Sequence, residues 1–127
     1  MAKSQNPLSI TVLSGGPDAE AKISRKSAAA ISNALRTVGH DVNEMDLPTD
    51  DPIAPLGDIP KEHVVFPALH GPWGEGGGAQ TQLVELGLSF VGFGPAAARV
   101  AIDKHQTRML AAEHGVAVAD GAVVHRG

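Results

Sequence analysis

The sequence contains no cysteine and no tyrosine, and it has only three phenylalanines and one tryptophan. Without cysteine the chain forms no disulfide framework, no thiolate zinc site and no cysteine nucleophile, and this favours a cytoplasmic protein. With so few aromatic rings, the interior must be filled by Ala, Val, Leu and Ile, which suits close packing of helices on a sheet.

A basic surface stripe is also missing. The formal charge is -4 with acids and bases interspersed, which argues against nucleic acid, because phosphate binding requires clustered Lys and Arg. The opening stretch MAKSQNPLSITVLSGG has one lysine and a short apolar run broken by Ser and Thr, unlike a signal peptide or a membrane span. We expect a soluble, cytoplasmic protein without nucleic-acid or membrane partners.

Apolar patterning predicts alternating strands and helices within a single domain, residues 1–127. The run LSITVLS at 8–14 predicts a buried strand that stops at Gly15-Gly16. Ser27, Ala30, Ile31, Ala34, Leu35 and Val38 predict one helical face, with Gly39 ending the helix. The remaining predicted elements are a short strand in 40–47, strands at 64–69, 89–91 and 116–124, and helices at 80–86 and 104–114.

Two segments lack such a pattern. Residues 48–60 are dense in Pro and Asp and predict a surface loop. The segment HGPWGEGGGA, 70–79, is so rich in glycine that we expect a functional or disordered loop without regular structure. The whole pattern predicts an α/β fold: an open, mainly parallel, Rossmann-like sheet with helices on both faces.

Both glycine loops follow predicted strands, and in such sheets ligands bind beyond the carboxyl ends of the strands. The first loop supplies Glu20 and Ser24, and the second supplies His70 and Glu75. We expect these side chains and several exposed backbone amides to converge on one small polar ligand.

Each of these residues also has a purely structural interpretation. Glu20 could be an acid in the first turn of a helix, Ser24 a cap and His70 a partner of loop carbonyls. Glu75 and Lys104 could be solvated, with Asp103 acting as a helix-terminal acid. The histidines lack metal-ligand spacing, so no metal site is expected, and neither nucleotide-binding glycine motif is present.

Three stretches together resemble signature stretches of the D-alanine-D-alanine ligases, in the same order and spacing. They are SGGPDAEAKIS at 14–24, HGPWGEGGGAQ at 70–80 and GLSFVGFGPAAARVAIDK at 87–104, so the resemblance covers nearly all of residues 8–124. These ligases belong to the ATP-grasp group. The resemblance implies a pre-ATP-grasp domain and an ATP-dependent reaction that joins two D-alanines for peptidoglycan synthesis.

The resemblance also implies roles for single residues. Glu20 stands where the family acid holds the ammonium of the first D-alanine, and His70 where the family histidine lies beside the reacting carboxylate. Ser24 and Glu75 match supporting positions, and Lys104 matches a lysine that reaches toward the nucleotide phosphates. ATP and magnesium belong to the full enzyme, and we expect this domain alone to bind neither tightly.

The chain departs from the family pattern at Ala21, Lys22 and Gly76, where relatives commonly carry charged residues. We expect the ATP-grasp domains to lie beyond residue 127, no ligase turnover by this chain alone, and a homodimer, because family members pair largely through this domain. The alternative is a stand-alone, ligase-derived module that acts by dimerisation or regulation. An unrelated nucleotide-binding domain is a weaker third possibility.

Overall fold

The computed structural model describes residues 6–124, so both ends of the predicted 1–127 domain lie outside the described part. Its centre is a sheet of four strands in the order β2-β1-β3-β4. The strands are β1 (Ser9–Gly15), β2 (Asp41–Leu47), β3 (Val64–Pro67) and β4 (Ser89–Phe90). Every pairing between them is parallel, and the predicted open α/β sheet is confirmed.

Helix α1 (Ala21–Thr37) covers one face of the sheet. Its buried positions are Ser24, Ala28 and Ser32, one above another at intervals of four residues. The predicted inward positions Ala30 and Ala34 are exposed, so that part of the prediction was wrong. Small side chains at the buried positions let α1 approach the strands closely. Hydrophobic periodicity did not identify this face, because two of its three buried residues are serines.

The opposite face carries the larger aliphatic core. Leu13, Leu47 and Val65 of the strands pack there with Leu56 and other buried residues. Leu56 belongs to a 3-10 helix, Ala54–Asp58, inside the segment predicted to be a surface loop. That prediction was incomplete. The segment is rich in proline and aspartate, but it also contains two apolar residues, Leu56 and Ile59, that are almost fully buried.

The second glycine-rich segment is helical, and the prediction of a loop without regular structure was wrong. It forms α2 (Gly71–Glu75) and the first part of α3 (Gly78–Glu85). Glycine serves here for close approach: a Cβ atom added to Gly74 would lie 2.7 Å from Cβ of Leu69. Tertiary packing therefore overrides the poor intrinsic helix propensity of this segment.

Beyond β4 the chain continues as α4 (Pro95–Ile102) and α5 (Lys104–Glu113). Helix α5 was predicted, whereas α4 was missed although Pro95 stands at its first turn. The predicted strand at 116–124 was wrong, since these residues are exposed and irregular and pair with none of the four described strands. Within residues 6–124, no helix is long and apolar enough to cross a membrane.

Candidate functional site

The two glycine loops meet at the carboxyl edge of β1 and β3, as predicted. A Cβ atom added to Gly16 would lie 3.6 Å from the ring of Trp73. That ring is partly buried against the aliphatic core, so Trp73 is a core residue in the described chain and not a free contact residue. Its packing fixes the second loop directly on the first.

Ser24 lies beneath this junction and is fully buried. Its hydroxyl donates to the carbonyl oxygen of Ala68 at 2.7 Å and accepts from the amide of Gly15 at 3.0 Å. Both hydrogen-bonding functions are therefore used inside the protein, and Ser24 connects the end of β1 to the segment after β3. This position matches a supporting residue rather than a ligand contact.

Glu20 is exposed and precedes the first residue of α1, yet its side chain makes no capping hydrogen bond. The carboxylate instead lies against the second loop, where a Cβ atom added to Gly71 would be 2.7 Å from Oε2 of Glu20. Gly71 has φ +90, a conformation that side-chain-bearing residues rarely adopt. A glycine is therefore required where the Glu20 carboxylate approaches the loop.

His70 is held from two sides. Its Nε2 lies 3.1 Å from Oγ of Ser27, and its Nδ1 lies 3.8 Å from Oε1 of Glu75. The other carboxylate oxygen of Glu75 accepts from the amide of Gly71 at 2.9 Å. The imidazole thus contacts side chains, not the loop carbonyls of the structural interpretation, and Glu75 links its position to the loop backbone.

Beside His70 opens a cleft of about 450 Å³. Its polar lining comes from Ser27, His70, Glu75 and Gln80, and the rest is mostly apolar. None of the described residues that line it is Lys or Arg, whereas Glu75 contributes a carboxylate to the lining. This electrostatic arrangement favours a ligand that brings a positive charge.

Three backbone amides of the second loop are already hydrogen-bonded within the protein, so they are not the exposed donors that the sequence predicted. The amide of Gly71 donates to Glu75, and the amides of Trp73 and Gly74 donate to the carboxylate of Asp18. Because buried or partly buried amides need partners, these carboxylates take the donors that a ligand would otherwise use. A ligand carboxylate must therefore find its donors outside this loop.

Sequence reasoning missed Asp18 and the role of Ser27. The signal for Asp18 was its place after Gly-Gly-Pro, since Asp in such turns readily accepts backbone amides. Ser27 had been assigned to the apolar face of α1, and only the fold brings its hydroxyl to His70. The sequence alone does not identify the partner in either contact, because each contact joins residues that are far apart along the chain.

Lys104 is exposed at the start of α5 and does not line the cleft, although Ile102 does. The preceding Asp103 caps α5, with Oδ1 accepting from the amides of His105 and Gln106. The hydrogen bond from the Gln106 backbone is the main cause that lowers the pKa of Asp103 below its ordinary value. The structural interpretation of Asp103 is confirmed.

A bound nucleotide would need a phosphate cradle and magnesium ligands. Within the described part of the chain, no group of three His, Asp or Glu side chains is placed to hold a metal ion, and the amides of the second loop already have carboxylate partners. These residues do not fit ATP or magnesium by themselves, so no reaction step through either group follows from them.

Fold and site together define a class: an open, parallel α/β domain with a cleft at the carboxyl edge of its sheet. No family model matches the chain. The chain is 44% identical over 119 residues to the D-alanine–D-alanine ligase of Gluconobacter oxydans, covering 92% of this chain and 39% of that protein. It is 38% identical over 122 residues to the ligase of Actinobacillus succinogenes, covering 96% and 39%.

Solved structures agree on the fold. The D-alanine-D-alanine ligase from Coxiella burnetii superposes with a TM-score of 0.77 at 24% identity, covering 90% of this chain and 43% of that chain. The ligase from Bacillus anthracis gives 0.76 at 21%, covering 89% and 37%. The chain belongs to the D-alanine–D-alanine ligase family, where it corresponds to the amino-terminal portion, and it spans about 39% of the length of the first relatives.

Proposed function

We propose that this chain is the amino-terminal substrate-binding domain of a D-alanine–D-alanine ligase. It contributes the site of the first D-alanine to ATP-dependent dipeptide formation for peptidoglycan synthesis in the cytoplasm. The observation that carries this proposal is the position of the Glu20 carboxylate, which lies against Gly71, the residue that directly follows His70 in the second loop. The cleft that His70 and Glu75 line contains no described Lys or Arg.

In this proposal the Glu20 carboxylate binds the ammonium group of D-alanine through a charge-assisted hydrogen bond. His70 lies beside the carboxyl group that reacts, where an imidazole N–H donates to developing negative charge. Ser27 and Glu75 hold the imidazole in place. Ser24 supports the junction of the two loops from beneath.

The site is incomplete without further domains. Phosphoryl transfer needs metal ions and phosphate-binding groups to neutralise charge, and residues 6–124 do not supply a metal-binding cluster. We therefore infer that ATP and magnesium are bound by ATP-grasp domains, toward which Lys104 extends from α5. The chain alone has no ligase activity and binds D-alanine weakly, because a partial site encloses little of its ligand.

The test is a hybrid enzyme in which this chain replaces the matching 119 residues of the Gluconobacter oxydans ligase. Formation of D-alanyl-D-alanine is measured for the hybrid, for the chain alone, and for the hybrid carrying Glu20→Gln or the control Glu62→Gln. Glu62 is exposed just before the amino end of β3, on the opposite edge of the sheet from the site.

The hybrid is expected to form the dipeptide, and the chain alone is not. Loss of the charged acceptor in Glu20→Gln should lower kcat/KM by about 10- to 100-fold, with Glu62→Gln unchanged. A folded but inactive hybrid would instead favour the alternative, a ligase-derived module that acts by dimerisation. That alternative has support in exposed apolar side chains such as Phe93 and Met109.

A further inference from the structure

Asp18 makes the most extensive polar contact between the two glycine loops. Its carboxylate accepts from the amides of Trp73 and Gly74, each at 3.0 Å to Oδ2, with a longer contact of 3.3 Å from Trp73 to Oδ1. All three hydrogen bonds cross from the first loop to α2, far along the chain. The side chain therefore connects two separate segments and not merely its own turn.

On its own side of the junction, Asp18 is connected to Glu20 through the hydrogen-bonded backbone that leads into α1. Its carbonyl oxygen accepts from the amide of Ala21, and the carbonyl oxygen of Glu20 accepts from the amides of Ile23 and Ser24. Residues 18–24 thus form one hydrogen-bonded entry into α1. The backbone positions from which the Asp18 and Glu20 side chains extend are therefore held in one hydrogen-bonded segment.

The other side of the contact carries His70 and Glu75. Trp73 and Gly74 belong to α2, whose first residue, Gly71, directly follows His70. The amide of Gly71 donates to Glu75, so α2 and the residue after His70 are joined by a hydrogen bond within the same short segment. A Cβ atom added to Gly71 would lie 2.7 Å from Cγ of Asp18, which shows how closely the two segments are fitted.

We propose that Asp18 is a positioning residue, whose carboxylate sets the distance and orientation between Glu20 and the imidazole of His70. Both loops contain glycines with positive φ, such as Gly16 and Gly71, which restrict the backbone little. Hydrogen bonds to a charged acceptor are stronger than neutral ones, so this carboxylate is well suited to fix their relative position. The proposal rests on the proposed function for its ligand, D-alanine.

The experiment uses the whole chain labelled with ¹⁵N, as wild type and as Asp18→Ala, Asp18→Asn, Glu20→Gln and the control Asp50→Ala. Asp50 is an exposed aspartate in the 48–60 segment. Two quantities are measured: hydrogen exchange of the Trp73 and Gly74 amides, and the affinity for D-alanine from shifts at Glu20, His70 and Gly71. Emission from the sole tryptophan, Trp73, reports independently on the junction.

Asp18→Ala should speed exchange of both amides about tenfold or more and weaken D-alanine binding by about tenfold. Asp18→Asn keeps a carbonyl acceptor and should recover part of both. Glu20→Gln should abolish binding and leave both amides protected, a split that general destabilisation would not produce. Asp50→Ala should match the wild type.

Unchanged exchange in Asp18→Ala would overturn the proposal, and so would wild-type affinity for D-alanine with both amides released. If Asp18→Ala does not fold, Asp18→Asn decides: faster exchange at either amide with weaker binding supports the proposal, and wild-type values overturn it. Absence of D-alanine binding in the wild type would refute the proposed function. The exchange data would then still decide whether Asp18 couples the loops.

Discussion

The fully buried large apolar side chains all lie before β4, whereas most large apolar side chains after β4 are exposed. Leu13, Leu47 and Leu83 are fully buried, but α5 has no buried residue and Phe93 is 70% exposed. The first region contains its own core, whereas in the second only α4 packs against it, through the buried Ala98. Residues of both regions line the cleft, among them His70 and Phe93.

The largest effect on stability is expected from a matched pair of leucine substitutions, one in a helix of each region. Leu83→Ala in α3 removes a fully buried side chain and should lower the free energy of unfolding by about 2–5 kcal/mol. Leu110→Ala in α5, where Leu110 is 47% exposed, should change it by less than about 1 kcal/mol. Urea denaturation followed by circular dichroism measures both, and equal losses would refute the division into two regions.

A second pair compares two glycines with positive φ. Gly71→Ala and Gly115→Ala both place alanine in the left-handed region, at a cost of about 1–2 kcal/mol. Only at Gly71 does the added methyl group meet Asp18 and Glu20, because nothing lies within 4 Å of the same position on Gly115. Gly71→Ala should therefore lower the free energy of unfolding more than Gly115→Ala in the same assay, and it should also weaken D-alanine binding. Equal losses of stability in the two variants would show that the loop junction can accommodate a methyl group.

A third pair compares a buried hydroxyl with an exposed one. Ser24→Ala leaves the amide of Gly15 and the carbonyl of Ala68 without their partner, which should cost about 1–3 kcal/mol. Thr107→Val removes an exposed hydrogen bond to the carbonyl of Val100, where water can substitute, so its effect on thermal unfolding should be small. A tolerated Ser24→Ala would contradict the supporting role assigned to this residue.

The smallest effect concerns the pH dependence of α5. Because the folded pKa of Asp103 lies below its ordinary value of 3.8, its cap is fully present above that pH and is lost as the pH falls through the folded pKa. Amide exchange of His105 and Gln106, measured against that of α1, should accelerate in this acidic range. Asp103→Ala should remove the pH dependence, and an unchanged profile would show that the cap contributes nothing.

The regular part of the fold could be predicted because its signals are local. The β1 run ends at Gly15-Gly16, and the helix after it ends near Gly39, where φ is +97, so glycine marked both boundaries. The parallel sheet follows from the general rule for alternating strands and helices, whereas the order of its strands was not predicted. Predicting these elements requires only the periodicity of apolar residues and the glycines at the element boundaries.

The errors occurred where tertiary contacts decide the local structure. Helix α2 forms at a glycine-rich segment because Asp18 binds its amides and Leu69 packs on Gly74. The apolar run at 116–124 has strand-like composition but no described strand beside it, and an unpaired strand is not stable. The candidate site was predicted as a set of residues, while its connections through Asp18 and Ser27 depend on the fold.

The most direct test of the central claim is titration of the ¹⁵N-labelled chain with D-alanine, with L-alanine as the control. We expect weak, saturable shifts concentrated at Glu20, His70 and Gly71, absent in Glu20→Gln and smaller with L-alanine. Shifts confined to α4 and α5, or no D-alanine response even at concentrations far above those that saturate homologous full-length ligases, would contradict the assignment of the first D-alanine site to this chain.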